Sequence, residues 1–336
     1  MIGTSAIASA PSLACPACRA PMGEGLSGTS PCRRCDRHYP EVAGLPDFRL
    51  ASDRYLGLDA ERAKASRLHA LEPTTDVMGL ASAYYEMTED VVDRRRERFL
   101  SHIAGALPRG EAIARRLPRE GNVLEVGCGT GGLLVAAARR GRDVTGVEIA
   151  SRWLVVARRR LSDHGLRVPL LVAEAERLPW PDASFACVVA DSLIEHLDDP
   201  SIAFREWVRV LKPGGTLLLW SPNRFSIATD PHLGLWGLGW LPRAWVPSYL
   251  RLRGKKEWPP RTRSAAEAAR LAREAGYSEI ALSAPGVDAS WASTRPPIER
   301  RLLKTYASIH QRAIGRACLR RFGPLWELRA IAGTPR

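Results

Sequence analysis

The sequence is poor in the features that would place a chain in a membrane. No run among its 336 residues approaches the roughly 20 consecutive apolar residues that a spanning helix needs. The opening MIGTSAIASAPSLAC has neither the basic start nor the long apolar core of a secretory signal. Both absences lead to the expectation of a cytoplasmic protein. Lysine is scarce too: Lys64, Lys212, Lys255, Lys256 and Lys304 are all there are, so arginine carries nearly all of the positive charge behind the formal net value of +13. The arginines fall in dispersed doublets and triplets such as Arg94-Arg95-Arg96 and Arg158-Arg159-Arg160, a pattern that reads as solvated helix faces rather than one continuous basic track. A nucleic-acid partner is therefore disfavoured, although charge of this sign attracts phosphates. With 45% hydrophobic and 25% charged residues, the chain can bury one large core, or a core plus a small appendage.

Cysteine is thin over most of the chain, with only Cys128, Cys187 and Cys318 after residue 35. The other four, Cys15, Cys18, Cys32 and Cys35, form C-P-A-C and C-R-R-C. Each C-x-x-C turn aims two thiolates at one point, and two such turns close a tetrahedral zinc site. Two disulfides are the alternative, but a chain without an export signal seldom forms them. After the second pair comes HYPEVAGLPDF, residues 38 to 48. Here the chain resembles the zinc ribbon that precedes the catalytic domain in some bacterial methyltransferases, and that occurs alone as a small methyltransferase activator. A zinc held by four cysteines has no open position for water, so this metal is structural. It substitutes for a core that a module of residues 1–50 is too small to build. His38 reads as ordinary surface.

Residues 51–120 carry few strand signals. Apolar residues recur at helical spacing, which leads to the expectation of two or three helices punctuated by Pro73, Pro108 and Pro118. Tyr84 and Tyr85 suit either core packing or the lining of a ligand site.

The stretch NVLEVGCGTGGLLVAAARRGRDVTGVEIA, residues 122–150, is a βαβ unit: a short apolar strand from Val123 to Val126, a glycine turn, a helix, and a second strand ending at Glu148. Glycine lets the backbone pass close to a ligand and adopt positive φ, so the turn can hold a nucleotide-like molecule at the start of the helix. An acid at the end of the second strand is placed to accept hydrogen bonds from ribose hydroxyls. A nicotinamide dinucleotide site uses the same logic, but its fingerprint is G-x-G-x-x-G. Here the turn is E-V-G-C-G-T-G, Glu125 to Gly131, with the acid before the first glycine.

This turn resembles motif I of the class I S-adenosylmethionine-dependent methyltransferases. The segments AEAERLPWPDASFACVVADSLIEHLDDP, residues 173–200, and RVLKPGGTLLLW, residues 209–220, resemble the pieces that follow in that family, in the same order. The resemblance implies an α/β, Rossmann-like seven-stranded class I methyltransferase fold over residues 121–336. It implies S-adenosyl-L-methionine as cofactor, held by Glu125, Gly127, Gly129, Gly131, Glu148 and the adjacent Ile149. By position, Glu174 would meet the exocyclic amine of adenine and Ala175 would offer a backbone contact, with Asp191 beside the methionine part.

The chemistry implied is in-line displacement at a sulfonium methyl, in which the protein aligns donor and nucleophile and excludes water. A hydroxyl acceptor also needs a base whose pKa lies near the working pH. His196, just past the fourth strand, and His232, just past the fifth, are the candidates; either could instead cap or pack. Some relatives that methylate quinone precursors carry a Glu-x-x-Glu-His metal motif at this place. This chain has Ser192-Leu193-Ile194-Glu195-His196, with serine for the first glutamate. Two side chains are few for a hard cation, so no catalytic metal is expected.

A long insert, residues 221–263, follows the fifth strand and holds Trp236, Trp240, Trp245 and Trp258. Loops of this length are usually lids or binding segments, and a cap over an aromatic or lipid-like acceptor is expected, the alternative being a helical hairpin packed on the core. A second, helical insertion, residues 296–322, separates the last two strands, where it could shape the acceptor pocket or mediate dimerisation. Three functions follow. The leading one is O-methylation of a small-molecule acceptor, natural-product, sugar or lipid-linked, by a monomer or homodimer. An RNA methyltransferase that docks through its ribbon is the second, although the ribbon offers only Tyr39 for base stacking. The third, a non-enzymatic partner protein, has no use for an open cofactor cleft.

Overall fold

The computed structural model describes residues 12–22, 31–88, 93–230, 232–254, 261–293 and 295–333. Trp258, Lys255 and Lys256 lie outside the described residues, as do residues 1–11 and 23–30 of the expected ribbon module. In chain order the elements are β1 (Glu41–Val42), β2 (Leu45–Pro46), α1 (Leu58–Leu71), α2 (Val77–Glu86), α3 (Asp93–Ala104), α4 (Ala106–Ala114), β3 (Val123–Val126), α5 (Gly132–Ala138), β4 (Val144–Glu148), α6 (Ser151–Asp163), β5 (Leu170–Val172) and β6 (Phe185–Asp191). They continue with α7 (Pro200–Val210), β7 (Leu211–Pro222), α8 (Val246–Leu252), α9 (Ala265–Glu274), β8 (Tyr277–Ser283), α10 (Ala289–Ser293), α11 (Pro297–Gln311), α12 (Ala313–Phe322) and β9 (Leu325–Ala332).

Seven strands form one sheet in the order β5-β4-β3-β6-β7-β9-β8. β4 runs parallel to both β3 and β5, while β9 runs antiparallel to β7 and β8. This is the Rossmann-like α/β arrangement that the resemblance implies. All four residues of β3 and all three of β5 are buried, as expected of strands covered on both faces. No helix among the described residues is long and apolar enough to cross a membrane.

The chain divides into two compact units, Met1–Val188 with Arg209–Lys212, and Val189–Val208 with Pro213–Arg336.

In the first unit, the described residues of 51–120 hold four helices where two or three were expected. Gly105 separates α3 from α4, and Pro108 sits in the first turn of α4, where its missing amide costs nothing. α4 and α5 cross with almost no space between their backbones. A Cβ on Gly110 would lie 2.3 Å from the carbonyl oxygen of Gly132, and one on Gly132 would lie 2.2 Å from that of Ala106. Only glycine permits this approach, which seats the helix that follows the βαβ turn.

The Arg158-Arg159-Arg160 triplet is not a solvated face. Arg158 donates to both oxygens of Glu72 and to the carbonyl of Ala43, Arg159 pairs with Asp163, and Arg160 is buried with hydrogen bonds to the carbonyls of Thr130 and Ile103. Periodicity marked the helix but could not show that neighbouring segments reach this face of α6. At the start of α6, Glu61 from α1 accepts from the amide of Arg152 (2.9 Å), the hydroxyl of Ser151 (3.1 Å) and the Arg152 guanidinium. Glu61 has no solvent exposure, so a distant carboxylate serves as the cap that α6 lacks locally.

In the second unit, α9 begins at Ser264 with a reciprocal capping box to Glu267. The side chains of Trp207 and Trp326 are fully buried, and the Trp326 indole donates to the carbonyl of Arg263 at 2.8 Å. The expected helical insertion is two helices, α11 and α12.

Replacing Glu61 by alanine removes the nearer of the two carboxylates that meet the buried Arg152 guanidinium among the described residues and leaves Asp53, 3.6 Å away. The expected cost is about 3 kcal/mol, read as a lower urea midpoint with unchanged m-value.

Candidate functional site

The four N-terminal cysteines converge. Their sulfurs lie within 4.8 Å of one another, with Cys15 and Cys35 3.7 Å apart and Cys18 and Cys32 3.5 Å apart. Tetrahedral zinc with Zn–S bonds of about 2.3 Å requires sulfurs about 3.8 Å apart, so the donor set fits that ion. The two knuckles repeat each other bond for bond. Arg19 N donates to Cys15 O as Asp36 N does to Cys32 O, and Cys15 N donates to Ala20 O as Cys32 N does to Arg37 O. Arg19 and Asp36, each just after the second cysteine of its pair, both take left-handed φ, at 64° and 54°. His38 is exposed.

The expected cofactor residues of the first unit lie around the glycine turn. Gly127, Gly129 and Gly131 have φ of 73°, 49° and 76°, which a residue with Cβ adopts only with strain. Open space lies where a Cβ on Gly129 would point, whereas one on Gly131 would meet Ala157 at 3.0 Å. One oxygen of Glu148 accepts from the Gly129 amide (3.1 Å) and the other from the Ala150 amide (3.0 Å). The acid at the end of β4 thus pins the glycine turn at the end of β3. Burial pushes its pKa up, the two amides pull it back, and Asp53 adds to the rise. Glu125 is buried in β3, Ile149 is half-buried, and Ala175 is buried.

Glu174 sits just past β5 and is 7% exposed. Its Oε1 accepts from the backbone amides of Leu50 (2.8 Å) and Ala51, while its buried Oε2 takes no hydrogen bond among the described residues. An orphaned, buried acceptor is what an adenine amine would satisfy. In the same unit, Tyr84 packs on Trp153 with ring centroids 4.7 Å apart, and the Arg152 guanidinium lies over both rings. Tyr85 is core.

In the second unit, β6 ends at half-buried Asp191, which accepts from the hydroxyl of Ser192 at 3.3 Å. Ser192 itself has a left-handed φ of 56°. One turn of 3-10 helix, Ile194–His196, then brings His196 against His232, with ring centroids 5.0 Å apart and planes at 90°. Glu195, read in the sequence only as one of two side chains left from a metal motif, joins them. It has no solvent exposure; its Oε2 accepts from the hydroxyl of Ser221 at 3.0 Å, and its Oε1 lies 3.9 Å from Nε2 of His232. The loop carrying His232 is held by Asp230, which accepts from the amides of His232 (2.9 Å) and Leu233 (2.8 Å). Burial pushes the Glu195 carboxyl up to about 8, against its own backbone amide and the Ser221 hydroxyl, with Asp191 and Asp230 reinforcing the rise.

Counting donors along the sequence found two here, but folding adds a third. Glu195, His196 and His232 offer ligand atoms within 4.8 Å of one another. Two imidazoles and one carboxylate do not suit Mg2+, which prefers oxygen ligands and octahedral geometry; they suit a borderline transition ion.

The insert has its own small core of Leu235, Leu238 and Leu250. Trp236 and Trp245 face outward, at 67% and 65% exposure, while Trp240 stacks on Phe322 of α12 at 5.7 Å. The indoles of Trp236 and Trp240 donate to the carbonyls of Ile227 and Ser226, and these bonds fix the path of the loop.

Residues 124–219 match the family model described as a methyltransferase domain. The chain is 38% identical over 120 residues to a ubiquinone biosynthesis O-methyltransferase of Xanthomonas axonopodis pv. citri, covering 35% of this chain and 50% of that protein. A protein of the same description from Idiomarina loihiensis is 35% identical over 128 residues, covering 36% of this chain and 51% of the relative. The chain thus spans about half the length of these relatives. Among solved structures, a methyltransferase of Thermotoga maritima superposes with a TM-score of 0.46 at 23% identity, covering 74% of this chain and 98% of that one. A phosphoethanolamine N-methyltransferase of Haemonchus contortus gives 0.45 at 19% identity, covering 68% and 53%. The strand order, together with the family match over residues 124–219, agrees with the class I methyltransferase fold expected from the sequence.

Glu195 makes stability depend on pH. Between the ordinary glutamate value of 4.5 and about 8, the folded chain keeps a proton that the unfolded chain releases. Its contribution is therefore complete below pH 4.5 and lost as pH rises to about 8. Glu195→Gln should match the parent at low pH and exceed it in urea midpoint at pH 9; an identical pH profile for the two proteins would refute the assignment.

Proposed function

We propose that the protein transfers a methyl group from S-adenosyl-L-methionine to a hydroxyl of a small-molecule acceptor, with His232 as base. The observation that carries this reading is the Glu195–His196–His232 cluster, a buried acid beside two imidazoles just past β6 and β7. The description of the ubiquinone biosynthesis relatives supports an oxygen acceptor on an aromatic or lipid-linked molecule.

The bound cofactor would supply a methyl group already activated as a sulfonium; the chain has to bind, align, exclude water and take one proton. For binding, Gly127, Gly129 and Gly131 leave the backbone bare, and Glu148 retains lone pairs for ribose hydroxyls beyond those held by Gly129 and Ala150. Glu174 offers Oε2 to the adenine amine and Ala175 its backbone, with Ile149 beside the ring. Glu125 supports the turn, and Asp191 takes the methionine end. For the proton, His232 accepts from the acceptor hydroxyl while Glu195 and His196 settle its orientation and charge. A carboxyl 3.9 Å away can close to a hydrogen bond with a small rotation. Cys15, Cys18, Cys32 and Cys35 hold a structural zinc in a ribbon ending near residue 50, and the 221–263 and 296–322 insertions cover the acceptor.

The test uses methyl-labelled cofactor with the zinc-loaded protein and, separately, a small-molecule extract and total RNA of the source cells. Label in the extract fraction is expected; label confined to RNA overturns the reading in favour of an RNA acceptor. His232→Ala should lower kcat by at least about 100-fold while leaving S-adenosylhomocysteine binding within about twofold. Undiminished turnover in both His232→Ala and His196→Ala would remove the base from this cluster.

A further inference from the structure

The ribbon does not end as a free appendage. Within the first unit its last residues run along the residues read as the cofactor site. Asp47 pairs as a parallel bridge with Val172, the last residue of β5, and the amide of Phe48 donates to the carbonyl of Val172 at 2.7 Å. Phe48 is fully buried, with its ring 5.0 Å from that of Tyr39. The hydroxyl of Tyr39 lies 3.0 Å from the sulfur of Cys15, one of the four clustered thiols. Asp47 and Arg49 then form a fork-to-fork pair, Nε to Oδ1 at 2.8 Å and Nη2 to Oδ2 at 2.7 Å, with both side chains 1% exposed. The remaining nitrogen, Nη1, donates to the carbonyl of Ile149 at 3.0 Å. One residue on, the amides of Leu50 and Ala51 converge on a single oxygen of Glu174.

We infer that the strap Asp47–Ala51 is a specificity element of the cofactor site: it saturates one oxygen of Glu174 and leaves the other to select an amino purine. The inference rests on the reading of Glu174 as the adenine contact. A carboxylate with two amides on Oε1 is fixed in rotation and kept an acceptor at Oε2. An acceptor there takes a hydrogen bond from the exocyclic amine of adenine and repels the carbonyl that hypoxanthine carries at the same position. The strap's conformation depends in turn on Phe48, Tyr39 and the Cys15 thiol. Zinc occupancy and purine recognition are therefore coupled through one continuous run of contacts, and the coupling must be reciprocal.

The experiment compares S-adenosylhomocysteine with S-inosylhomocysteine, its hypoxanthine counterpart, by calorimetry on the full zinc-loaded chain. The parent protein should prefer the adenine ligand at least about tenfold. Two perturbations reach the strap without touching Glu174: Arg49→Lys, which keeps the charge but loses the fork and the Ile149 contact, and removal of zinc by a chelator. Both should reduce the preference to within about threefold, mainly by weakening the adenine ligand. A merely structural role weakens both ligands by the same factor, and that result, or an undiminished preference in both perturbed proteins, overturns the proposal. Glu174→Gln separates the two levels. If that variant keeps the parent's full preference, the adenine assignment itself fails; if it loses the preference while Arg49→Lys and the stripped protein keep it, only the strap fails.

Discussion

Carboxylates placed where water cannot reach them are the constraint on which this structure turns. Glu61, Glu174 and Glu195 are 0%, 7% and 0% exposed. An ionised group so placed costs several kcal/mol unless the protein replaces the lost hydration. Each of the three recruits its donors from a distant part of the chain: Glu61 from the start of α6, Glu174 from the strap at residues 50 and 51, Glu195 from Ser221 on β7. Satisfying the acids therefore ties together segments that sequence separates by 26 to 124 residues.

Two solutions to that constraint lead to two kinds of site. Where the donors are backbone amides alone, as at Glu174, one oxygen is saturated and the other stays an acceptor, which suits recognition of a neutral N–H group. Where burial is complete and only one hydroxyl and the residue's own amide support the charge against two nearby acids, as at Glu195, the pKa climbs to about 8. A carboxyl in that state can exchange a proton with a neighbouring imidazole near neutral pH, which suits work on an acceptor hydroxyl. Glu61 is the third outcome: a guanidinium, a hydroxyl and an amide meet it together, and the result is structural.

The glycine turn, Glu148 and the paired cysteines were legible in the sequence because their chemistry is local. Positive φ needs glycine, and a metal knuckle needs two thiols three residues apart. The sheet beyond the first βαβ unit was expected from the resemblance of the later segments to the class I methyltransferases, with β9 recognisable despite the helices inserted before it. What stayed hidden depends on long-range pairing. Glu195 stands next to a histidine in the sequence, yet nothing there shows that Ser221 and His232 return to it. The strap's amides carry no side-chain signature at all. Arginine spacing misled on the Arg158–Arg160 triplet because a helix face reads as solvated until Glu72, Asp163 and the carbonyls of Ala43, Thr130 and Ile103 are found on it. The aromatic composition of the insert is similarly ambiguous: it reports a loop rich in tryptophan without saying that Trp236 and Trp245 point outward.

The ribbon and the sheet need each other for a reason that is not catalytic. β5 is a three-residue strand at the end of the sheet order, and an uncovered edge of this kind presents unpaired backbone groups to other chains. The ribbon has the opposite deficiency, because two knuckles and a two-stranded hairpin cannot enclose a core. Setting Asp47 and Phe48 on Val172 corrects both, since the edge gains a hydrogen-bonded cover and Phe48 gains a fully buried environment. The ribbon's exit is then obliged to run past the end of β5, where the residues after a parallel strand project their side chains at the ligand end of the sheet. Contact between the strap and Glu174 thus follows from how the edge is covered, and any chain that covers β5 in this way places backbone amides within reach of whatever acid stands at residue 174.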